Sequence, residues 1–315
     1  MAITDRRGTQ RRILLCMDAC EQAMDAVLYV GAALSSEETT VVLFHVTSKI
    51  PETFYDTAGP FPQRRSSIRS WELEHNKIIQ VFMDQALVFL MDLGFPQEAV
   101  KIDIRQGKTG IARDIAVEAQ RGYSAIVVGR VGASKLKDLV LGSTGNKLIE
   151  KLTHLPVWVV GGKPRAGKVL LALDSSEGAM RAVDYVGTML GGSACEVTLF
   201  HVIRGLGAYT RRLMGVSPGD EEKWMEKSKT IVIQVFDEAK SRLVEAGVDA
   251  NRITTKFTTQ VRSRARAIVK EAEEEGYETI VVGRRGLSKI QEFYMGRVSN
   301  KVLQIAKEMA VWVVS

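Results

Sequence analysis

Three glycines and a serine in the first half of the chain, Gly129, Gly132, Gly142 and Ser143, stand in the spacing G-x2-G-x9-G-S. Gly129 closes the apolar run "AIVVG", a strand end where a missing side chain lets a ligand lie against the backbone. Gly142, Ser143 and Thr144 open a run with helical character, and the free amides and positive dipole end of a helix start attract phosphate. Two hydroxyls would add donors aimed at the same oxygens. Taken singly, these residues need do no more than make turns and cap a helix. Their joint spacing after a strand is what points to an anion.

Asp18 and Asp174 each follow an apolar run and each precede a Glu by three residues, Glu21 and Glu177. That is a capping arrangement, and it also sets a carboxylate where a ribose or a base could donate to it. His45 and His201, in "LFHV", are the candidate bases, yet no G-x-S-x-G framework accompanies them. They read as histidines that hydrogen-bond locally at strand ends. The chain has four histidines, none paired at ligand spacing, so no metal site is expected. Cys16, Cys20 and Cys195 form no CxxC, which fits a reducing cytoplasm and small, buried apolar side chains.

The elements that hold these residues are written twice. Ile13 to Val46 overlays Val169 to Val202 without a gap, pairing Asp18 with Asp174 and His45 with His201. "YSAIVVGRVGASK" then pairs with "YETIVVGRRGLSK", and both halves finish on "VWVV". A period this long is duplication of a whole domain. The join is "GGKPRAGK", so the expected domains are 1–163 and 164–315. Gly162, Gly167 and Lys168 spell most of a P-loop there, but Val169 follows the Lys and opens a strand, so the match is rejected.

Within each half, short apolar runs alternate with helical spacing. Ile13 to Met17 and Val41 to Val46 read as strands; Ala23, Val27, Val30 and Leu34 as a helix; Ile78, Phe82, Phe89 and Leu93 as one face of a long second helix. "VKIDIR", "AIVVG" and "VWVV" supply further strands, with helices at "GIARDIAVEAQ" and "STGNKLIEKL". Alternating elements predict an α/β chain: two doubly wound, parallel-sheet domains in tandem, with ligands beyond the carboxyl ends of the strands. Each apolar "VWVV" strand would lie exposed at a sheet edge, so the two are expected to pair antiparallel across an internal pseudo-twofold.

With 315 residues, 45% hydrophobic and 25% charged, the composition is that of a globular protein of about two domains. A formal charge of +6, scattered apart from Arg6, Arg7, Arg11 and Arg12, does not call for nucleic acid. No leader or anchor is expected at "MAITDRRGTQRR", and Asp84 and Asp92 interrupt the best membrane candidate.

The first-strand Asp, the "LFHV" strand and the G-x2-G-x9-G-S signature resemble the universal stress protein family in its tandem two-domain form, over nearly the whole chain. The resemblance implies Rossmann-like domains of about five parallel strands and, in many members, binding of ATP or AMP, with or without magnesium, and no defined reaction. Carried over, adenine and ribose contacts fall on Cys16, Asp18, Val46, Val128 and Gly129, and phosphate contacts on Gly132, Gly142, Ser143 and Thr144. Gly145 departs from the pattern, lacking the second hydroxyl of many nucleotide-binding relatives. The second half matches at Asp174, Val202, Gly283, Gly286 and Gly296, and Ser299 keeps that hydroxyl. Arg297 stands where the signature has Ser or Thr. It either fills the phosphate space or grips a phosphate bidentately; crowding or altered specificity is the expectation, which makes the second site a degenerate or regulatory copy.

Thr47 to Ser70 and Ile203 to Glu222 are candidate lids, and Arg64, Arg65, Arg69, Arg211 and Arg212 could reach phosphates from them. The function expected is that of a cytoplasmic, nucleotide-binding stress regulator with at most slow ATP hydrolysis, an unidentified protein partner, no nucleic acid and no membrane. Pairing of two whole chains stays open. The alternative is a module without nucleotide that acts through proteins or another small ligand.

Overall fold

Strands made of unbroken Val, Ile and Leu need cover on both faces, and a sheet of such strands must be sandwiched between helices. A computed structural model of the chain describes residues 10–48, 62–130, 141–203, 205, 217–259, 261, 263–286 and 295–315, with side chains except at 62–69, 218 and 221. The first half runs β1 (Arg11–Cys16), α1 (Glu21–Ala33), β2 (Thr39–Thr47), α2 (Pro62–Asp92), β3 (Val100–Gln106), α3 (Ile111–Glu118), β4 (Ala125–Gly129), α4 (Ser143–Lys151) and β5 (Val157–Val160). The second repeats it: β6 (Lys168–Leu173), α5 (Glu177–Leu190), β7 (Glu196–Ile203), α6 (Pro218–Glu245), β8 (Ile253–Thr259), α7 (Arg264–Glu275), β9 (Thr279–Gly283), α8 (Arg297–Ile305) and β10 (Ala310–Val314). Lys168, the lysine of the rejected P-loop, opens a strand.

The ten strands form one sheet in the order β3-β2-β1-β4-β5-β10-β9-β6-β7-β8. Every pairing is parallel except that of β5 with β10, which run antiparallel with Trp158 opposite Trp312. The two "VWVV" strands therefore meet as expected, and each removes the other's open edge. Side chains alternate between two cores. One lies under α1, α2, α5 and α6 and holds Val27, Met83, Val183, Phe236 and both tryptophans. The other lies under α3, α4, α7 and α8 and holds Ile115, Leu148, Ile268 and Val302.

The join is sealed by aromatic rings and their polar tips. The Trp158 and Trp312 rings stack with centroids 3.8 Å apart and planes 4° from parallel. Each indole then donates across the join, Trp158 to Tyr185 Oη at 3.0 Å and Trp312 to Tyr29 Oη at 2.9 Å. Buried indole N–H groups need such partners.

Two expectations change here. Of the face expected for α2 and the residue after it, Phe82 packs against the core, but Ile78 is 56% exposed and Phe89 and Leu93 are also exposed; the buried residues among the described side chains of α2 are Ile79, Met83, Ala86 and Leu90. The helix is apolar on more than one side, and a one-residue shift turns the inward face by about 100°. Packing against α1 and β3 chooses between them. The second change concerns the lids. Pro62 to Ser70 and Pro218 to Glu222 are the opening turns of α2 and α6. Most of the remaining candidate segments, Arg211 and Arg212 included, lie outside the described residues, as do the side chains of Arg64, Arg65 and Arg69.

Candidate functional site

Parallel pairing places the ends of β2, β1 and β4 side by side. Cys16 lies opposite Phe44 on one flank and Val128 on the other, and Val46 lies two residues beyond Phe44. Val46 and Val128 are buried and Cys16 is partly so. Beyond β1 the chain turns through Ala19, whose φ of 56° is left-handed, and this turn leaves Asp18 exposed at the carboxyl edge. Gly142 N donates to Arg130 O at 2.8 Å and so brings the start of α4 back to the end of β4. Cys16, Asp18, Val46, Val128, Gly129, Gly142, Ser143 and Thr144 thus share one edge of the sheet; Gly132 lies outside the described residues.

Gly142 is the N-cap of α4, and no side chain caps the helix. Ser143 is the first helical residue, so the alternative in which it serves as the cap does not apply. Uncapped amides at a helix start are an anion site in their electrostatics. Gly145 has its own packing reason, since a Cβ there would come 3.1 Å from Leu141 Cδ1. Gly129 has one too: the space of its missing Cβ is bounded at 3.0 Å by the Gln22 carbonyl group in α1.

The expected capping boxes do not form. Cys20, not Asp18, precedes α1, and its Sγ donates to Asp18 Oδ1 at 2.7 Å. In the second half Ser176 is the cap, accepting from Ala179 N at 3.2 Å, and Asp174 Oδ1 accepts from Ser176 N at 3.1 Å. Asp174 therefore orders the cap without being it. Burial, and then the neighbouring Asp18, push the Cys20 thiol up to about 12 and the Cys16 thiol higher still.

His45 Nδ1 contacts Met17 O at 2.7 Å, and His201 Nδ1 contacts Leu173 O at 2.8 Å. A carbonyl only accepts, so Nδ1 carries the proton in both. Burial lowers both imidazole pKa values, against the opposing pull of these bonds. Neutral, locally bonded rings of this kind hold the ends of β1 and β6 in place.

The second copy is built differently. Ser299 is buried, and its hydroxyl donates to Gly283 O at 2.6 Å, which turns it toward β9. Asp174, Val202, Gly283, Gly286, Gly296, Arg297 and Ser299 line a cavity of about 730 Å³. Arg297 is on its wall. Arg264 and Arg285, which sequence reasoning did not single out, line the same cavity.

Sequence reasoning also missed Arg130 and Arg284. Each follows the final glycine of an "IVVG" strand, each is buried, and each crosses to the other domain. Arg130 donates to Leu303 O at 2.7 Å and to Ala306 O at the end of α8, and Arg284 donates to Leu152 O at 3.0 Å at the end of α4. A cation at a helix C-terminus satisfies orphan carbonyls and opposes the dipole. Burial pulls Arg130 down to about 10, which leaves it charged at neutral pH. Recurrence of "VVGR" in both halves was the available signal.

Among the described residues, no three His, Cys, Asp or Glu side chains are grouped to hold a metal ion, and no helix is long and apolar enough to cross a membrane. The sequence profile of the universal stress protein family matches residues 10–161 and again 166–315. The universal stress protein YxiE of Bacillus subtilis (strain 168) is 30% identical over 142 residues, 44% of this chain and 93% of that one. A universal stress protein of Mycolicibacterium smegmatis is 22% identical over 306 residues, 95% of each chain. In fold, the crystal structure of a universal stress protein from Archaeoglobus fulgidus superposes with a TM-score of 0.62 at 19% identity, covering 97% of this chain and 98% of that one. The chain belongs to the universal stress protein family, with two copies of its domain in tandem.

Proposed function

We propose that this protein is a regulator in a stress response that binds an adenine nucleotide, ATP or AMP, chiefly in its first domain, residues 1–163, with residues 164–315 forming the second. The observation that carries the reading is the start of α4, which no side chain caps and which lies beyond the carboxyl ends of β1 and β4 beside Ser143 and Thr144. Phosphates would sit on the amides there, with Gly132 and both hydroxyls around them; base and ribose would lie toward Cys16, Asp18, Val46, Val128 and Gly129. Magnesium, where present, would arrive on the phosphates. Turnover is at most slow, because His45 spends Nδ1 on Met17 O and burial disfavours its charged form. Bound nucleotide alters a surface read by a protein partner in the cytoplasm; neither nucleic acid nor membrane takes part, and pairing of whole chains is compatible with this role.

Freshly purified protein, denatured and analysed, should release an adenine nucleotide at about one per chain, and Gly142→Trp should abolish its binding. Gly142 has an ordinary φ of −58°, so this replacement does not strain the backbone. A second reading, a module without nucleotide, is favoured by Gly129 and Gly145, whose missing side chains are both explained by packing. No released nucleotide and no calorimetric signal with ATP or AMP would select it.

A further inference from the structure

The two copies treat the outer side of their paired helices in opposite ways. In the second domain Arg242 bridges the surface of α5 and α6, donating to Asp184 Oδ2 at 2.9 Å and to Glu238 Oε1 at 2.7 Å. The buried faces of α2 and α6 match residue for residue, Ile79 with Val232 through Leu90 with Leu243, and this register sets Phe89 against Arg242 and Val81 against Gln234. In α1 and α5 the match of Ala23 with Ala179 through Ala33 with Met189 sets Leu28 against Asp184. Where the second copy has an ion-paired bridge, the first therefore has Leu28 and Phe89, 40% and 39% exposed, beside Val81 at 49%. The fold does not demand this, since the second copy builds the same helices with polar residues there.

Along α2, Glu74, Ile78, Val81, Gln85, Val88 and Asp92 follow at three- and four-residue spacing, and all are exposed. They form one stripe about 27 Å long, apolar toward its middle and acidic at both ends. Among the described residues neither Glu74 nor Asp92 forms an ion pair. On α1, Asp25 and Glu21 stand about one and two turns before Leu28. Lys163 reaches Glu21 at 3.2 Å in an exposed pair, and Lys77 falls outside the spacing of the stripe. Apolar side chains scattered over a surface need no explanation, but a contiguous set is where another surface docks.

Charge decides what can cover this seam. Twofold pairing of the face with itself would lay α2 against a second α2 and bring Glu74 of each copy to Asp92 of the other. An anionic lipid surface would be repelled in the same way. A helix with an apolar face and lysine or arginine on its flanks meets neither objection. We propose that the α1–α2 seam of the first domain is a docking site for a basic amphipathic helix of a partner protein, its apolar face on Leu28, Val81 and Phe89 and its cations over the acidic rim. The inference goes beyond the nucleotide reading and does not require it.

The test is fluorescence anisotropy on the full chain, without added nucleotide, using a labelled leucine–lysine amphipathic peptide of about five helical turns and its leucine–glutamate counterpart. The lysine peptide should bind at least about tenfold more tightly, although the +6 charge of the whole chain favours the reverse. The triple replacement Leu28→Asp, Val81→Gln and Phe89→Arg installs the second copy's residues and should cost about tenfold or more in affinity. Asp25→Arg, with the residue that the second copy carries at 181, should weaken the lysine peptide by about threefold and flatten its salt dependence. Equal binding of the two peptides overturns the proposal, as does undiminished affinity in the triple variant. Should the triple variant fold poorly, Val81→Gln alone should weaken binding by about threefold, and unchanged affinity there has the same adverse meaning. A parent chain that sediments as a dimer, is dissociated by the triple replacement and leaves the lysine peptide unbound would assign the seam to a second copy and overturn the proposal. A chain that releases no nucleotide yet binds the lysine peptide loses the nucleotide reading and keeps this one.

Discussion

Arg130 and Arg284 occupy equivalent places in the two copies, and each closes the carboxyl end of the other copy's last helix, α8 and α4 respectively. Their backbones perform the reverse service at home. Arg130 O accepts from Gly142 N and Arg284 O accepts from Gly296 N, both at 2.8 Å, so each residue joins its own candidate anion site to the far end of the helix that builds the other. Replacing Arg130 with Met leaves buried carbonyls without a donor and should cost about 2–4 kcal/mol in chemical denaturation. Arg130→Lys should recover little of it, since a lysine cannot reach two carbonyls with a planar fork. A loss under about 0.5 kcal/mol would show that water replaces the guanidinium and that the cap does not stabilise the join.

The Trp158–Trp312 stack makes a second prediction at the same join. Both rings are buried, and truncating one opens a cavity at the centre of the ten-stranded sheet. Trp312→Ala should destabilise by about 3–5 kcal/mol. A double-mutant cycle with Trp158→Ala should return a coupling of about 0.5–1.5 kcal/mol for the rings themselves. Additive losses would mean that the rings fill space without attracting one another.

Stability should fall on mild acidification. The folded-state pKa values of His45 and His201 lie below the ordinary value of 6.5, chiefly because burial disfavours the imidazolium. Above 6.5 both rings are neutral folded or unfolded, and the stability is fully present; as pH drops below it, the unfolded chain binds protons first and stability declines until the folded values are passed. Urea midpoints measured from neutral pH downward should follow this slope, and His45→Gln should make it shallower. An unchanged slope in that variant would exclude His45 as a source.

The thiols should be slow to react. With Cys20 raised to about 12 and Cys16 beyond it, both are almost entirely protonated in neutral solution, and Cys195 is buried. Disulfide-exchange labelling of the native protein should be far slower than of the denatured chain, which should titrate three thiols at once. Rapid native labelling of Cys20 would show that its hydrogen bond to Asp18 does not persist.

Exchanging the residues that differ between the two copies isolates one hydrogen bond. Ser299→Gly removes the donor to Gly283 O and should cost about 1 kcal/mol. The reverse change, Gly145→Ser, brings a Cβ to 3.1 Å from Leu141 and should destabilise until Leu141 is replaced by Met, the residue at the equivalent position 295. Thermal melts of the three variants read this directly. A Gly145→Ser protein as stable as the parent would mean that Leu141 gives way freely.

The chain by itself determined the duplication, the strands and their parallel direction, because unbroken apolar runs and helical spacing are local properties that survive without a neighbour. It also placed the glycine signature at a strand end and a helix start, and the pairing of "VWVV" with "VWVV" followed from the fate of an open edge. Tertiary structure alone decided which side of α2 turns inward, since Ile78 and Ile79 are equally apolar and only the partners across the gap distinguish them. It alone sent Arg130 to α8 and Arg284 to α4, contacts between residues more than a hundred positions apart that no period records. It alone gathered Arg264, Arg285 and Arg297, scattered along the sequence, around one cavity, because the carboxyl ends of parallel strands bring together whatever follows each of them.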